Sequence, residues 1–173
     1  YFDAFKVDLI SFTDGTILNA SQLEAIGYQV SDTINQINGT TNNDTIIGTA
    51  GNDQIFGSAG NDTISAGSGY DTLDGGTGND ILEGGAGNDT YMFGYGSGKD
   101  LIKDYASDNI TSFDILVFGE GITPADLALF KEGNNLRIEL LGGEDSIVIQ
   151  NWMGSPSPYD GYSSKYNYPY QID

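Results

Sequence analysis

Through the middle third of the chain, apolar residues return at every ninth position: Ile46, Ile55, Ile64, Leu73, Leu82 and Tyr91. Each stands two residues after an aspartate, in the series Asp44, Asp53, Asp62, Asp71, Asp80 and Asp89. The three residues around each apolar position alternate out, in, out, as in a short strand that turns one side chain toward a core. Thr45, Thr63, Thr72 and Thr90 suit the outward places. Before each aspartate stands Asn43, Asn52, Asn61, Tyr70, Asn79 or Asn88; two before it, Asn42, Gly51, Gly60, Gly69, Gly78 or Gly87; five before it, Gly39, Gly48, Gly57, Ala66, Gly75 or Gly84. Glycines at such places let the chain turn with positive φ and bring carbonyl oxygens inward. One period of nine therefore reads as a turn plus a strand, and two periods as a full coil of eighteen residues. Residues eighteen apart then lie above one another, so that Ile46, Ile64 and Leu82 line one sheet and face Ile55, Leu73 and Tyr91 on the other.

The flanks carry different signals. Residues 9–12 and 16–18 around Asp14-Gly15 predict a hairpin, and Asn19 caps a short helix to Ile26, with Gln22 at the capping-box place and Gly27 as its stop. Thr123-Pro124 opens a second short helix. Strands over residues 128–131, 136–140 and 146–150 follow, with turns at Gly133-Asn134 and Gly142-Gly143. Both ends of a coiled stack need such covers, because they would otherwise present open strand edges and bare core.

Composition changes the picture in two ways. Lys plus Arg is 6 against 25 Asp plus Glu, a formal net charge of -19, which repels nucleic acid and anionic membranes. An acidic surface alone means little more than solubility, but acids in strict register would repel one another unless divalent cations bridge them. There is no Cys and no His, which removes thiol nucleophiles, disulfides, imidazole bases and the usual zinc or haem ligands. No apolar run approaches the ~18 residues of a membrane span. One inward side chain per nine residues is also a thin core against the entropy of ordering the backbone, so something besides apolar burial has to hold the turns.

The periods resemble the G-G-x-G-x-D-x-U-x repeat (U apolar) of the RTX, or haemolysin-type, calcium-binding family. The cleanest copies begin at Gly75-Gly76-Thr77-Gly78-Asn79-Asp80 and Gly84-Gly85-Ala86-Gly87-Asn88-Asp89. Departures are Thr40, Thr49 and Ser58 at position two, Asn42 at position four, and Ala66 at position one. The resemblance implies an all-β fold, a right-handed parallel β-roll that binds calcium, capped by β-hairpins and one or two short helices. It implies ions lying between turns two repeats apart, held by carbonyls of positions two and four with the aspartate below, and of positions one and three with the aspartate above. Carried over, one ion lies between Thr40, Asn42, Asp44 and Gly57, Ala59, Asp62, and the next between Ser58, Gly60, Asp62 and Gly75, Thr77, Asp80. On the other side one joins Thr49, Gly51, Asp53 to Ala66, Ser68, Asp71, and its neighbour joins Gly67, Gly69, Asp71 to Gly84, Ala86, Asp89. That makes four complete sites. Gly96-Ser97-Gly98-Lys99-Asp100 reads as a seventh repeat displaced by two residues, which sets Asp100 above Asp80 and offers a fifth site with Gly76 and Gly78. About four to six Ca2+ ions are expected on these grounds. Asp32 and Asp114, each followed two residues on by Ile34 or Leu116, begin flanking coils without complete sites.

The segment from Phe118 through Trp152 resembles the domain that follows such repeats in RTX proteins. The expected organisation is an N-terminal cap over residues 1–37, the roll over 38–117 and a C-terminal capping β domain over 118–173. In that family the follower ends in a strand and then a Phe-x-Asp-Gly-Thr hairpin. Here Phe12-Thr13-Asp14-Gly15-Thr16 lies near the start, and Lys6-Val7-Asp8 matches Gln171-Ile172-Asp173 at an offset of 165, so one period of a tandem array, cut within a unit, is the expectation.

Other chemistry finds little support. Glu144-Asp145 beside a Gly-Gly turn reads as a solvated hairpin tip, not a glycosidase pair. Trp152 and Tyr159, Tyr162, Tyr166, Tyr168 and Tyr170 read as packing around a loop, with a cell-surface glycan as the rival partner. No serine has a histidine partner, so catalysis within this chain is not expected. The resemblance implies a secreted or cell-surface bacterial protein. There the module is either a calcium-rigidified structural or extender segment of an adhesin or toxin, or an accessory module of a secreted enzyme (lipase, protease or polysaccharide-modifying) that aids type I secretion and substrate binding. Its expected partners are calcium and the neighbouring repeats of the same chain.

Overall fold

A computed structural model of the protein describes residues 10–11, 17–18, 35–103, 113–152 and 170–172. Strands β1 (Ile10–Ser11) and β2 (Ile17–Leu18) form an antiparallel hairpin with Ile10 opposite Leu18. The coil begins with β3 (Asn35–Asn38), β4 (Thr45–Ile47) and β5 (Asp53–Phe56) and continues through β6 (Thr63–Ser68), β7 (Thr72–Asp74) and β8 (Ile81–Ala86). It ends with β9 (Thr90–Phe93), β10 (Lys99–Ile102) and β11 (Asp114–Phe118). Consecutive strands fall on opposite sheets. The odd-numbered ones form one sheet, β3-β5-β7-β9-β11, and the even-numbered ones the other, β4-β6-β8-β10, with every neighbouring pair parallel.

The register follows the eighteen-residue spacing: Ile46 pairs with Ile64 and Ile64 with Leu82, while Ile55 pairs with Leu73 and Leu73 with Tyr91. The series extends past the six repeats at both ends, through Ile37 opposite Ile55, Ile102 opposite Leu82, and Leu116 opposite Tyr91. All nine side chains are at most 1% exposed. The outward threonines Thr45 and Thr63 are exposed, so the alternation of each strand sets one residue inside and its neighbours outside.

A different construction covers the C-terminal end. Thr123 and Asp126 form a capping box around a single 3-10 turn, Pro124–Asp126, where the sequence predicted a short helix. Strands β12 (Leu127–Glu132), β13 (Asn135–Leu140) and β14 (Ser146–Ile149) form an antiparallel meander, and β14 joins β10 in parallel, so the meander continues one sheet of the roll. Leu136, Ile138, Leu140, Ile147 and Ile149 point into the same core, and Trp152 packs against it. Strand β15 (Tyr170–Ile172) adds to the other sheet beside β11. The predicted helix over 19–26, Asp32 and the tyrosines Tyr159, Tyr162, Tyr166 and Tyr168 lie outside the described residues.

Candidate metal centre

Each turn between the sheets brings its aspartate inward, and the register stacks these residues in two columns. Asp44, Asp62, Asp80 and Asp100 form one column; Asp53, Asp71, Asp89 and Asp114 form the other. All eight are 1–3% exposed. In every rung above the lowest of each column, one carboxylate oxygen accepts the backbone N–H of the aspartate below. Asp62 Oδ1 takes the Asp44 N–H, Asp80 Oδ1 that of Asp62, and Asp71 Oδ1 that of Asp53, each at 2.8 Å; Asp100 Oδ1 takes the Asp80 N–H at 2.9 Å. Asp89 Oδ1 accepts the Asp71 N–H and Asp114 Oδ1 the Asp89 N–H, both at 2.9 Å.

The second oxygen is different. Asp62, Asp71 and Asp80 each hold Oδ2 buried with no hydrogen-bond partner. Leaving a carboxylate oxygen in that state is costly, and burial accordingly works against the charged form. Burial, helped by the flanking carboxylates and opposed by the backbone N–H, pushes Asp62 from its ordinary value of 3.8 up to about 6. Asp71 rises to about 7 for the same reasons. Asp100 also rises to about 7, through burial and then the charges of Asp80, Asp74 and Asp145, and Asp80 is raised by burial first and by Asp74.

Backbone oxygens converge on the same gaps. A methyl group on Gly57 would fall against Asp62 Oδ2 and the Gly75 carbonyl. The position-one carbonyls of Gly57, Gly75 and Ala66 point down in this way, toward Gly39, Gly57 and Gly48. The carbonyls of positions two and four point up, since side chains on Gly60, Gly67, Gly69, Gly76 and Gly78 would strike the oxygens of Asn42, Thr49, Gly51, Ser58 and Gly60. Gly85 and Gly87 stand likewise over Gly67 and Gly69, and Gly98 over Gly78. Position-three carbonyls take part in the stacking: Thr77 accepts the Gly60 N–H and Ala86 the Gly69 N–H, at 3.0 and 2.8 Å. For Ala59 the contact is a bridge to Thr77, and the Ser68 N–H bonds the Thr49 carbonyl at 3.2 Å. Among the described residues no three carboxylates gather at one point, so an ion here would draw most of its ligands from backbone oxygens. An all-oxygen set with two or fewer carboxylates per gap, closed by a flexible turn, suits Ca2+ rather than a softer metal. The residues fit the ion.

The departures from the repeat have local causes. Position two runs at positive φ where it is Gly67, Gly76 or Gly85, and Ser58 adopts φ 83 in the same place, a conformation that costs an L residue roughly 1–2 kcal/mol. Thr40 and Thr49 do not adopt it. Their N–H groups bond the carboxylates of Asp44 and Asp53 at 2.5 and 2.7 Å, and both hydroxyls join in at 3.0 Å. Ala66 is tolerated because position one does not need positive φ, and its side chain is fully buried. The position-five asparagines form a further ladder outside the columns: Asn43 Oδ1 accepts the Asn61 N–H, Asn61 Oδ1 that of Asn79, and Asn79 Oδ1 that of Lys99, at 2.8–2.9 Å.

Three residues gain roles that the sequence reading did not give them. Asp114 stands in the column as a full rung, signalled only by Leu116 two residues on. The Tyr91 hydroxyl oxygen accepts the Gly84 N–H. Asp145, read above as a solvated tip, instead accepts the N–H groups of Gly96 and Gly98 at 3.0 and 2.8 Å and ties the meander to the last turn.

The fold and its buried columns define a parallel β-roll built around acidic, oxygen-lined turns. The model of the RTX calcium-binding nonapeptide repeat matches four overlapping stretches, residues 31–64, 38–73, 56–91 and 71–102. Residues 31–102 of the chain therefore carry four matches to the RTX calcium-binding nonapeptide repeat. Among solved structures the chain is similar to the AlgE6R2 subunit of the Azotobacter vinelandii mannuronan C5-epimerase, at 29% identity over 66% of this chain and 83% of that one, with a TM-score of 0.49. It is also similar to the AlgE6R3 subunit of the same enzyme, at 24% identity over 71% and 74% of the two chains, with a TM-score of 0.26.

Proposed function

We propose that the module is a calcium-switched structural segment of a secreted bacterial adhesin or toxin, folding only where calcium is plentiful. The observation that carries this reading is the pair of buried aspartate columns, with the partnerless oxygens of Asp62, Asp71 and Asp80 at their centre. Without cations, stacked buried carboxylates repel and are poorly solvated, which favours a loose chain suited to export. With cations, each gap gains a charge that satisfies both rungs.

Three gaps per column give up to six ions. The four inner ones have rungs from the strict repeats, while the outer two are completed by Asp100 and Asp114. Extracellular-type sites bind with dissociation constants of about 10⁻⁴–10⁻³ M. Each filled site stabilises the fold by RT ln(1 + [L]/Kd), and sites sharing a rung fill together. The roll then becomes a stiff spacer within the parent chain. A calcium titration followed by circular dichroism and calorimetry tests the reading: a steep gain of β signal with several ions bound is expected. A spectrum indifferent to calcium would overturn it.

A further inference from the structure

We infer that Thr40 and Thr49 attenuate the two lowest calcium gaps, one in each column. Their donors hold the carboxylate oxygens of Asp44 and Asp53 that an ion would need, so these gaps bind calcium more weakly than those above. The inference rests on the calcium reading above and concerns which gaps fill last.

The lowest gaps lie between Asp44 and Asp62 and between Asp53 and Asp71. In each, Oδ2 of the lower aspartate stands near the position-one carbonyl of the coil above. A methyl group on Gly39 would meet the Gly57 carbonyl and Asp44 Oδ2 together, and one on Gly48 would meet the Ala66 carbonyl and Asp53 Oδ2. An ion in the gap has to reach that oxygen, and it is already engaged. Asp44 Oδ2 accepts the Thr40 N–H at 2.5 Å and the Thr40 hydroxyl at 3.0 Å. Asp53 Oδ2 accepts the Thr49 N–H at 2.7 Å and the Thr49 hydroxyl at 3.0 Å. A carboxylate offers about four lone-pair sites over its two oxygens, so two donors fill the share of one oxygen. Each hydroxyl hydrogen is directed as well. Thr40 Oγ1 accepts the Asn42 N–H and Thr49 Oγ1 the Gly51 N–H, both at 3.1 Å, which leaves the single hydroxyl hydrogen for the carboxylate.

One coil higher the same oxygen is bare. Oδ2 of Asp62 and of Asp71 is buried with no hydrogen-bond partner, and the position-two residues there are Ser58 and Gly67, at φ 83 and 110. Ser58 carries a hydroxyl too, yet that group donates to the Gly39 carbonyl at 3.3 Å and not to Asp62. Backbone conformation therefore makes the difference, because the left-handed turn carries the position-two N–H and side chain away from the carboxylate. Threonine is β-branched and avoids that conformation. Thr40 and Thr49 stay out of it and keep the turn that aims both donors at the aspartate. In the lowest gaps an ion must displace two hydrogen bonds to gain the carboxylate oxygen. In the gaps above, the oxygen it gains has no bond to lose.

The test compares the intact chain with Thr40→Gly, Thr49→Gly and the double variant by calcium calorimetry, with Ser58→Gly as the control. Circular dichroism at saturating calcium checks folding. The intact chain is expected to bind in two classes, two ions being at least tenfold weaker than the others. Each threonine-to-glycine change should move one ion from the weak class to the tight one, and the double variant should move both. Ser58→Gly relieves a left-handed serine but frees no oxygen, so it should shift all ions alike and leave the classes apart. A single class in the intact chain, or a double variant whose weak ions are unchanged or weaker still, would overturn the assignment. If the glycine variants do not fold, native mass spectrometry and amide resonances of the intact chain decide, as calcium is buffered down from saturation. Two ions should leave first, and over that step the amide signals of Thr40 and Thr49 should move while those of Gly96 and Gly98 stay. Ions that leave all at once, or first from the Gly96 and Gly98 end, would count against the proposal. An intact chain that binds no calcium would instead fail the functional reading itself.

Discussion

The roll and the C-terminal meander solve the same burial problem with different chemistry. In the meander, β13 and β14 alternate strictly, and five side chains (Leu136, Ile138, Leu140, Ile147 and Ile149) reach the core from ten residues of strand. In the roll, β4 and β7 give one each, Ile46 and Leu73, and the turns between strands carry glycine, asparagine and aspartate. The meander is closed by apolar contact and ladder hydrogen bonds, which need nothing from outside. The roll buries as many carboxylates as it does position-eight side chains in its middle coils, and those carboxylates destabilise it until a cation arrives. Under the proposed function, the difference makes calcium a folding partner for one half of the molecule and only an indirect one for the other.

Removing calcium should break the comparison most sharply. Chelation is expected to abolish most of the β signal of residues 35–103, with amides of β13 and β14 keeping more hydrogen-exchange protection than those of β5 to β8. Equal loss in both regions would show that the meander has no stability of its own.

Acid should act on the calcium-free roll in the sense opposite to calcium removal. Asp62, raised to about 6, and Asp71 and Asp100, raised to about 7, have folded-state values above the 3.8 of an unfolded chain. Their linkage therefore favours the calcium-free fold fully below 3.8, and that contribution is lost as pH rises through 6 and 7. Calcium-free protein should gain β structure on acidification through this window, while calcium affinity falls over the same range as protons compete for the rungs. A calcium-free spectrum that stays flat from pH 7 to pH 4 would argue that the columns are not buried in the absence of metal.

Core truncation sharpens the contrast. Ile64→Ala and Ile147→Ala both remove fully buried side chains and should each cost about 2–5 kcal/mol. Ile64→Ala should move the calcium midpoint of the roll upward, because the ions must make up the loss. Ile147→Ala should lower thermal stability at saturating calcium with a smaller shift of that midpoint. Matching shifts for the two would merge the regions into one cooperative unit.

The smallest expected effect is at the joint between them. Asp145→Ala removes the acceptor for the Gly96 and Gly98 N–H groups and should cost about 1.5–3 kcal/mol. Faster hydrogen exchange at Gly96 and Gly98 is the local sign to look for, and unchanged exchange there would deny Asp145 its anchoring role.

Much of the architecture was legible beforehand because the repeat makes geometry periodic. A strict spacing of nine sets which residues stack, which strands share a sheet and which side chain of each strand faces inward, so the pairing of Ile46 with Ile64 and of Ile55 with Leu73 follows from counting. The three strands of the meander were marked by their own alternation and by Gly133 and Gly142, both of which adopt the positive φ that a tight turn demands. Counting stops where the period stops. That Asp145 is an anchor depends on where β14 lands beside β10, a long-range pairing with no local signature. That Thr40 and Thr49 chelate their own aspartates, while Ser58 accepts a left-handed conformation, depends on which turns bend at position two.

The sequence by itself determined that aspartates fall in register, that calcium is the ion they suit, and that one apolar residue per strand builds the roll. Only the tertiary structure decided how the columns end. Asp100 was already expected above Asp80, but Asp114 completes the other column only after an irregular spacing of 25 residues, and the Tyr91 hydroxyl meets Gly84 from inside the core. The physical reason is that a repeat specifies contacts between equivalent residues, whereas the last coil has no equivalent above it and must be finished by whatever the rest of the chain brings near.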